Sequence, residues 1–86
     1  MTRKEYQCFI EENPVVATVD SDHSCMNFKV CKGINGYSIV VDDATSEEQF
    51  YIAASERTVE AMIEWLDCSE LPAHSVNKIK EIFRRG

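Results

Sequence analysis

One stretch decides the fold of this chain: Cys25-Met26-Asn27-Phe28-Lys29-Val30-Cys31-Lys32, then Gly33-Ile34-Asn35-Gly36, then Tyr37-Ser38-Ile39-Val40-Val41-Asp42. Apolar and polar residues alternate along it, and a repeat of two is typical of half-buried strands. Asn35-Gly36 favours a tight turn, so the stretch predicts a β-hairpin that turns either at this pair or through the longer loop 33–36. Both registers give the same apolar face, the expected floor of the core: Met26, Phe28, Val30, Tyr37, Ile39 and Val41. The opposite face carries Cys25, Asn27, Lys29, Cys31, Ser38, Val40 and Asp42.

Helices are predicted at both ends of the chain. Thr2 and Glu5 have the spacing of a capping box, and Asn13-Pro14 ends the helix that this box begins. Ser55 is the expected N-cap of a second helix, and Pro72 is suited to the first turn of a third. The predicted helices cover about residues 3–12, 56–68 and 73–85.

Two more strands are predicted, Val15 to Val19 before the hairpin and Gln49 to Ala53 after it. Short connections favour an antiparallel meander. Phe50 and Ile52 are expected to extend the apolar floor, with Tyr51 on the opposite, uncovered face. The expected fold class is α+β: a single two-layer domain, residues 1–86, in which helices pack on one face of a meander of three or four strands at about 15–53.

Length and composition limit the class of protein. Eighty-six residues suffice for one hydrophobic core and not for two. The chain contains neither an apolar run that could span a bilayer nor the apolar core of a signal peptide after Met1. We therefore expect a cytoplasmic protein that does not bind membranes. Its four cysteines are then expected to be reduced thiols: Cys8, Cys25, Cys31 and Cys68.

The net charge of −6 is unevenly distributed. Residues 42–70 hold nine acidic groups and one basic group, a balance of −8, whereas residues 71–86 hold four basic groups and one acidic group, a balance of +3. Such an acidic surface disfavours direct binding of nucleic acid and favours a basic protein as partner.

The acidic segment forms a row on the second predicted helix. At 100° per residue, its carboxylates fall within about 80° of one another on the helical wheel, where like charges cost a few tenths of a kcal/mol per pair. A solvated face and a partner-binding face both account for this row. Trp65 and Tyr51 pose a similar choice, between a place in the core and an exposed aromatic anchor. The predicted partner-binding residues are Asp42, Asp43, Glu47, Glu48, Tyr51, Glu56, Glu60, Glu64, Trp65 and Asp67.

Motifs for catalysis or for metal binding are missing from the sequence. His23, Cys25 and Cys31 are the nearest approach to a ligand set, but their spacing is irregular and no CxxC pair accompanies them. Three glycines, at 33, 36 and 86, make no phosphate-binding loop. We therefore expect no catalytic residue, no metal and no cofactor.

The expected function is that of a non-catalytic inhibitor rather than an enzyme. It would mimic nucleic acid and block a basic, nucleic-acid-handling target such as a nuclease or effector complex, as a phage or mobile-element anti-defence protein (for example an anti-CRISPR) would. The alternative is a toxin-neutralising immunity protein or a small housekeeping adaptor subunit, and a third hypothesis is a small thiol or zinc-dependent enzyme that uses Cys25, Cys31 and His23. The sequence leaves open the identity of the partner and whether a homodimer forms through a sheet edge.

Overall fold

The computed structural model describes residues 1–21 and 25–85. His23, a candidate ligand in the thiol or zinc hypothesis, lies outside this part of the chain. The elements are α1 (Arg3–Glu12), β1 (Val15–Asp20), β2 (Met26–Gly33), β3 (Gly36–Asp43), β4 (Phe50–Glu56), α2 (Val59–Cys68) and α3 (Ala73–Arg84). They confirm the α+β fold class, with one helix before a four-stranded sheet and two after it. None of the helices described is long and apolar enough to cross a bilayer.

The sheet is an antiparallel meander in the order β1-β2-β3-β4. Gly33 pairs with Gly36 at the tip of the β2–β3 hairpin, so the turn is the longer of the two predicted loops. Gly36 has φ of 132°, and a Cβ atom there would lie 2.4 Å from the carbonyl oxygen of Glu56. This position therefore requires glycine.

The main core lies between the sheet and the helices α2 and α3. Phe28 pairs with Val41 and Val30 with Ile39, and all four side chains are fully buried, which confirms the predicted floor. The rest of this core comes from β1, β4 and the apolar faces of α2 and α3: Val19, Ala54, Met62, Leu66, Val76, Ile79 and Phe83.

Helix α1 lies on the opposite face of the sheet, so the helices cover both faces rather than the one face that was predicted. A second, smaller cluster of Cys31, Val40 and Phe50 is buried there, and α1 packs against it through Tyr6, Phe9 and Ile10. The rings of Tyr6 and Phe50 are stacked, with centroids 4.1 Å apart. The second face is apolar at its centre, and α1 has an apolar side to bury, so the helix covers this cluster.

Strand β4 differs from its prediction in length and in facing. It extends to Glu56, and its register with β3 shifts between Ile39 and Val40, so that Ala53 forms a bulge. Phe50 therefore packs beneath α1 instead of extending the floor. Tyr51 pairs with Val41 and lies on the side of the sheet that faces α2, not on the face predicted to be uncovered.

Helix α2 begins at Val59, three residues later than predicted. Thr58, not Ser55, is the N-cap, and its side chain accepts a hydrogen bond of 3.1 Å from the backbone of Ala61. Ser55 instead belongs to β4, where its hydroxyl lies 3.0 Å from the hydroxyl of Ser38. Ser55 and Thr58 are similar N-cap residues, but Ser55 pairs with β3, so the helix begins after Thr58.

Candidate protein-binding surface

A groove of about 450 Å³ lies between the edge strand β4 and the C-terminal end of α2. Tyr51 and Ile52 are 38% and 43% exposed, although both are large and hydrophobic. Trp65 and Leu71 are half-buried and pack against the main core while they also line the groove. The groove is lined by Tyr51, Ile52, Ala53, Trp65, Ser69, Glu70 and Leu71.

The fold brings together two aromatic residues that the sequence predicted separately. The pairing of Tyr51 with Val41 turns the tyrosine toward α2. Trp65 precedes the buried Leu66 and is therefore about 100° away on the helix, on a flank of its buried face. Trp65 thus packs against the core and also lines the surface groove. Its position is intermediate between the buried and the exposed placement that the sequence left open.

The predicted acidic row on α2 is shorter in the structure than in the sequence prediction. Glu60 and Glu64 are exposed on the helix, whereas Asp67 forms an ion pair with Lys80 of α3. Glu56 is outside the row, because it is a half-buried residue of β4 that pairs with Tyr37. Apart from the paired Asp67, the exposed carboxylates of α2 are those of Glu60 and Glu64, which lie one helical turn apart.

The acidic residues at the end of β3 and in the β3–β4 loop largely stabilise this segment itself. Asp42 accepts a hydrogen bond of 2.9 Å from the amide of Gln49. Asp43 accepts two from Thr45, one from its backbone at 3.0 Å and one from its hydroxyl at 2.7 Å. Glu48 pairs with the N-terminal ammonium group of the chain, and Glu47 is exposed. The loop therefore offers a partner fewer unengaged carboxylates than its composition indicated.

Five residues of the groove were not among the predicted partner-binding residues: Ile52, Ala53, Ser69, Glu70 and Leu71. Ile52 was assigned to the buried floor, since its alternation with Phe50 gave no sign of the bulge at Ala53. Glu70 and Leu71 follow the end of α2, and the groove brings them beside Trp65. The one signal in the sequence was Pro72, which marks a break between the last two helices.

The thiols differ sharply in their environment. Cys31 is fully buried between the sheet and α1, and this burial raises the pKa of its thiol to about 11, against a smaller lowering by Lys29. Cys8, Cys25 and Cys68 are exposed, and all four cysteines are unpaired. No group of three or more potential metal ligands occurs among residues 1–21 and 25–85.

Three of the four thiols are expected to react with Ellman's reagent in the native protein. Cys31 should react only after addition of denaturant, because it is buried and its raised pKa disfavours the thiolate that attacks the reagent. A Cys31→Ala variant is the control, and it should keep the three fast thiols. Fast reaction of all four thiols would place Cys31 outside the core.

Fold and surface together define a class: an α+β protein with a four-stranded meander, helices on both faces of the sheet, and an aromatic groove beside acidic residues. Comparisons with protein-family models, with curated proteins and with solved structures find no match to this chain. The chain's own residues are therefore the basis for any statement about its function.

Proposed function

We propose that this protein is a non-catalytic inhibitor that binds a basic, nucleic-acid-handling protein and blocks its nucleic-acid site. The target is a nuclease or effector complex of a defence system, so the protein acts as an anti-defence factor of the anti-CRISPR kind. The observation that carries the proposal is the groove of Tyr51 and Trp65, which has Glu70 in its lining and the exposed carboxylates of α2 on the same helix as Trp65.

The charge distribution supports a basic partner. Residues 42–70, which run from the end of β3 through β4 and α2 to the loop after α2, carry nine acidic groups and one basic group. Carboxylates concentrated in this way attract a cationic surface and raise the rate of encounter. A protein surface that grips the phosphates of nucleic acid is cationic for the same physical reason, and it would therefore accept this acidic segment in place of its substrate.

The groove supports the second step of the mechanism, in which the complex is held after encounter. Aromatic residues dominate the energetics of protein interfaces, because they bury a large area at low cost in side-chain entropy. Tyr51 is 38% exposed in the groove that Trp65 also lines, so a partner that covers it removes apolar surface from water. Acidic residues thus steer the encounter, and the groove provides the anchor.

The proposal includes a cytoplasmic setting. Cytoplasmic nucleases and effector complexes are the targets it requires, and thiols stay reduced in that compartment. Four unpaired cysteines, three of them exposed, suit such a setting.

An inhibition assay tests the proposed function. Purified chain is added to a panel of CRISPR effector complexes and other defence nucleases, and cleavage of labelled nucleic acid is followed. We expect that at least one effector loses its activity at a stoichiometric amount of the chain, and that excess nucleic acid competes with the inhibition. Full cleavage by every member of the panel would contradict the proposal.

A further inference from the structure

We infer that the groove between β4 and α2 is a binding site for an arginine side chain of the basic partner. The inference rests on the proposed function and names the chemical group that the groove recognises. It depends on three properties of the groove: its aromatic surfaces, its aliphatic surfaces and the sign of its charge.

The aromatic surfaces fit a guanidinium group. Tyr51 and Trp65 both line the groove, and Trp65 has the side chain that attracts cations most strongly. Guanidinium is planar and weakly hydrated, so it stacks on aromatic rings more readily than the compact ammonium group of lysine. The groove therefore favours arginine over lysine.

The aliphatic surfaces fit the stem of the same side chain. Ile52 and Leu71 line the groove beside the aromatic residues. Long cationic side chains bury their methylene groups along apolar surface and keep the charged end near polar groups. Leu71 is only half-buried, so an arginine stem in this groove would cover part of its side chain.

The charge of the groove fits a cationic ligand. Glu70 is exposed at the groove, and its carboxylate can accept two parallel hydrogen bonds from one guanidinium group. None of the seven lining residues is cationic. Lys80, a cation of α3, is paired with Asp67. A cationic ligand is thus favoured here over an anionic or neutral one.

The chain has a single tryptophan, so the emission of Trp65 reports on the groove directly. The probe is an acetylated pentapeptide, Gly-Arg-Gly-Arg-Gly amide, compared with the same peptide in which neutral citrulline replaces both arginines. We expect a saturable change of emission with the arginine peptide and binding about tenfold weaker with the citrulline peptide, from loss of the cation–π and carboxylate contacts. Equal binding of the two peptides, or no change of emission with either, would overturn the inference.

Two variants and a matched control assign the effect to the groove. Glu70→Gln and Tyr51→Ile each alter an exposed side chain. Each is expected to weaken binding of the arginine peptide by about three- to tenfold. Glu11→Gln removes the same charge from α1, which packs on the other face of the sheet, and is expected to leave binding unchanged. An equal loss in Glu11→Gln and Glu70→Gln would reduce the effect to general electrostatics and overturn the inference. A change of emission with protein concentration alone would identify a second copy as the occupant and also overturn it.

Failure of the inferred arginine site can be distinguished from failure of the proposed function. If the chain inhibits an effector and Tyr51→Ile inhibits equally well, the function stands and the arginine site is wrong. If the arginine peptide binds as expected and no effector is inhibited, the site stands and the function is wrong.

Discussion

Replacing Phe28 by alanine is expected to lower the free energy of unfolding by about 3–5 kcal/mol. Phe28 has no exposed surface, and it lies in β2 with Val19 of β1 on one side and Val41 of β3 on the other. These neighbours belong to the sheet, which cannot collapse into the space that the ring leaves. The loss therefore includes both the transfer of the ring from water and the cavity that remains. Denaturation in urea, followed by circular dichroism, measures it.

The control for this prediction is Ile34→Ala at the tip of the β2–β3 hairpin. Ile34 is 97% exposed, so its replacement should change the free energy of unfolding by no more than about 0.5 kcal/mol. A loss below about 1 kcal/mol for Phe28→Ala would mean that the other face of the hairpin is the floor of the core.

The hairpin and its faces were predictable from the sequence, because strand periodicity and glycine chemistry agree there. Phe28, Val30, Ile39 and Val41 share one face in either register, so the uncertainty about the turn did not affect the core. The capping box of Thr2 and Glu5 likewise fixed the start of α1, and both of its hydrogen bonds are present, at 3.1 and 3.0 Å.

The position of α1 was not predictable from these signals. Cys31 and Val40 were assigned to the less buried face of the hairpin, and nothing local in the sequence tells which face of a sheet an amphipathic helix will cover. The second cluster depends on Phe50, whose facing was itself mistaken. Because the facing of Phe50 was mispredicted, the apolar cluster that α1 covers was not predicted either.

The groove was only half predictable. Tyr51 and Trp65 were both selected, but a strand of period two gives no sign of the bulge at Ala53, and the two residues were placed on different faces. The length of the acidic row on α2 was overestimated for a related reason. Glu56 belongs to β4, which is longer than predicted, and Lys80 of α3 forms an ion pair with Asp67. Long-range pairing, which sequence spacing does not encode, decided each of these outcomes.

Neutralising Glu60 and Glu64 together is expected to slow association with the inhibited effector by roughly three- to tenfold at low salt. Both residues are exposed on α2, and carboxylates at a rim steer the encounter more than they hold the complex. Glutamine keeps the size and helix propensity of glutamate, so the double variant Glu60→Gln/Glu64→Gln changes the charge almost alone. The protein should become no less stable, because repulsion between carboxylates one turn apart is relieved.

The matched control is Glu11→Gln/Glu12→Gln, which removes two exposed carboxylates from α1 on the other face of the sheet. It makes the net charge less negative by the same two units and should affect the association rate much less. A difference between the two double variants therefore separates a localised acidic surface from the overall charge of the chain.

The most direct test of the central claim, that the acidic α2 surface and its groove bind a basic partner, is surface plasmon resonance against the inhibited effector at low and physiological salt. We predict that Glu60→Gln/Glu64→Gln slows association, that the deficit shrinks at physiological salt because exposed charges are screened, and that the dissociation rate changes little. Association rates equal to those of the unchanged protein at both salt concentrations, or an equal loss in the α1 control, would contradict the account.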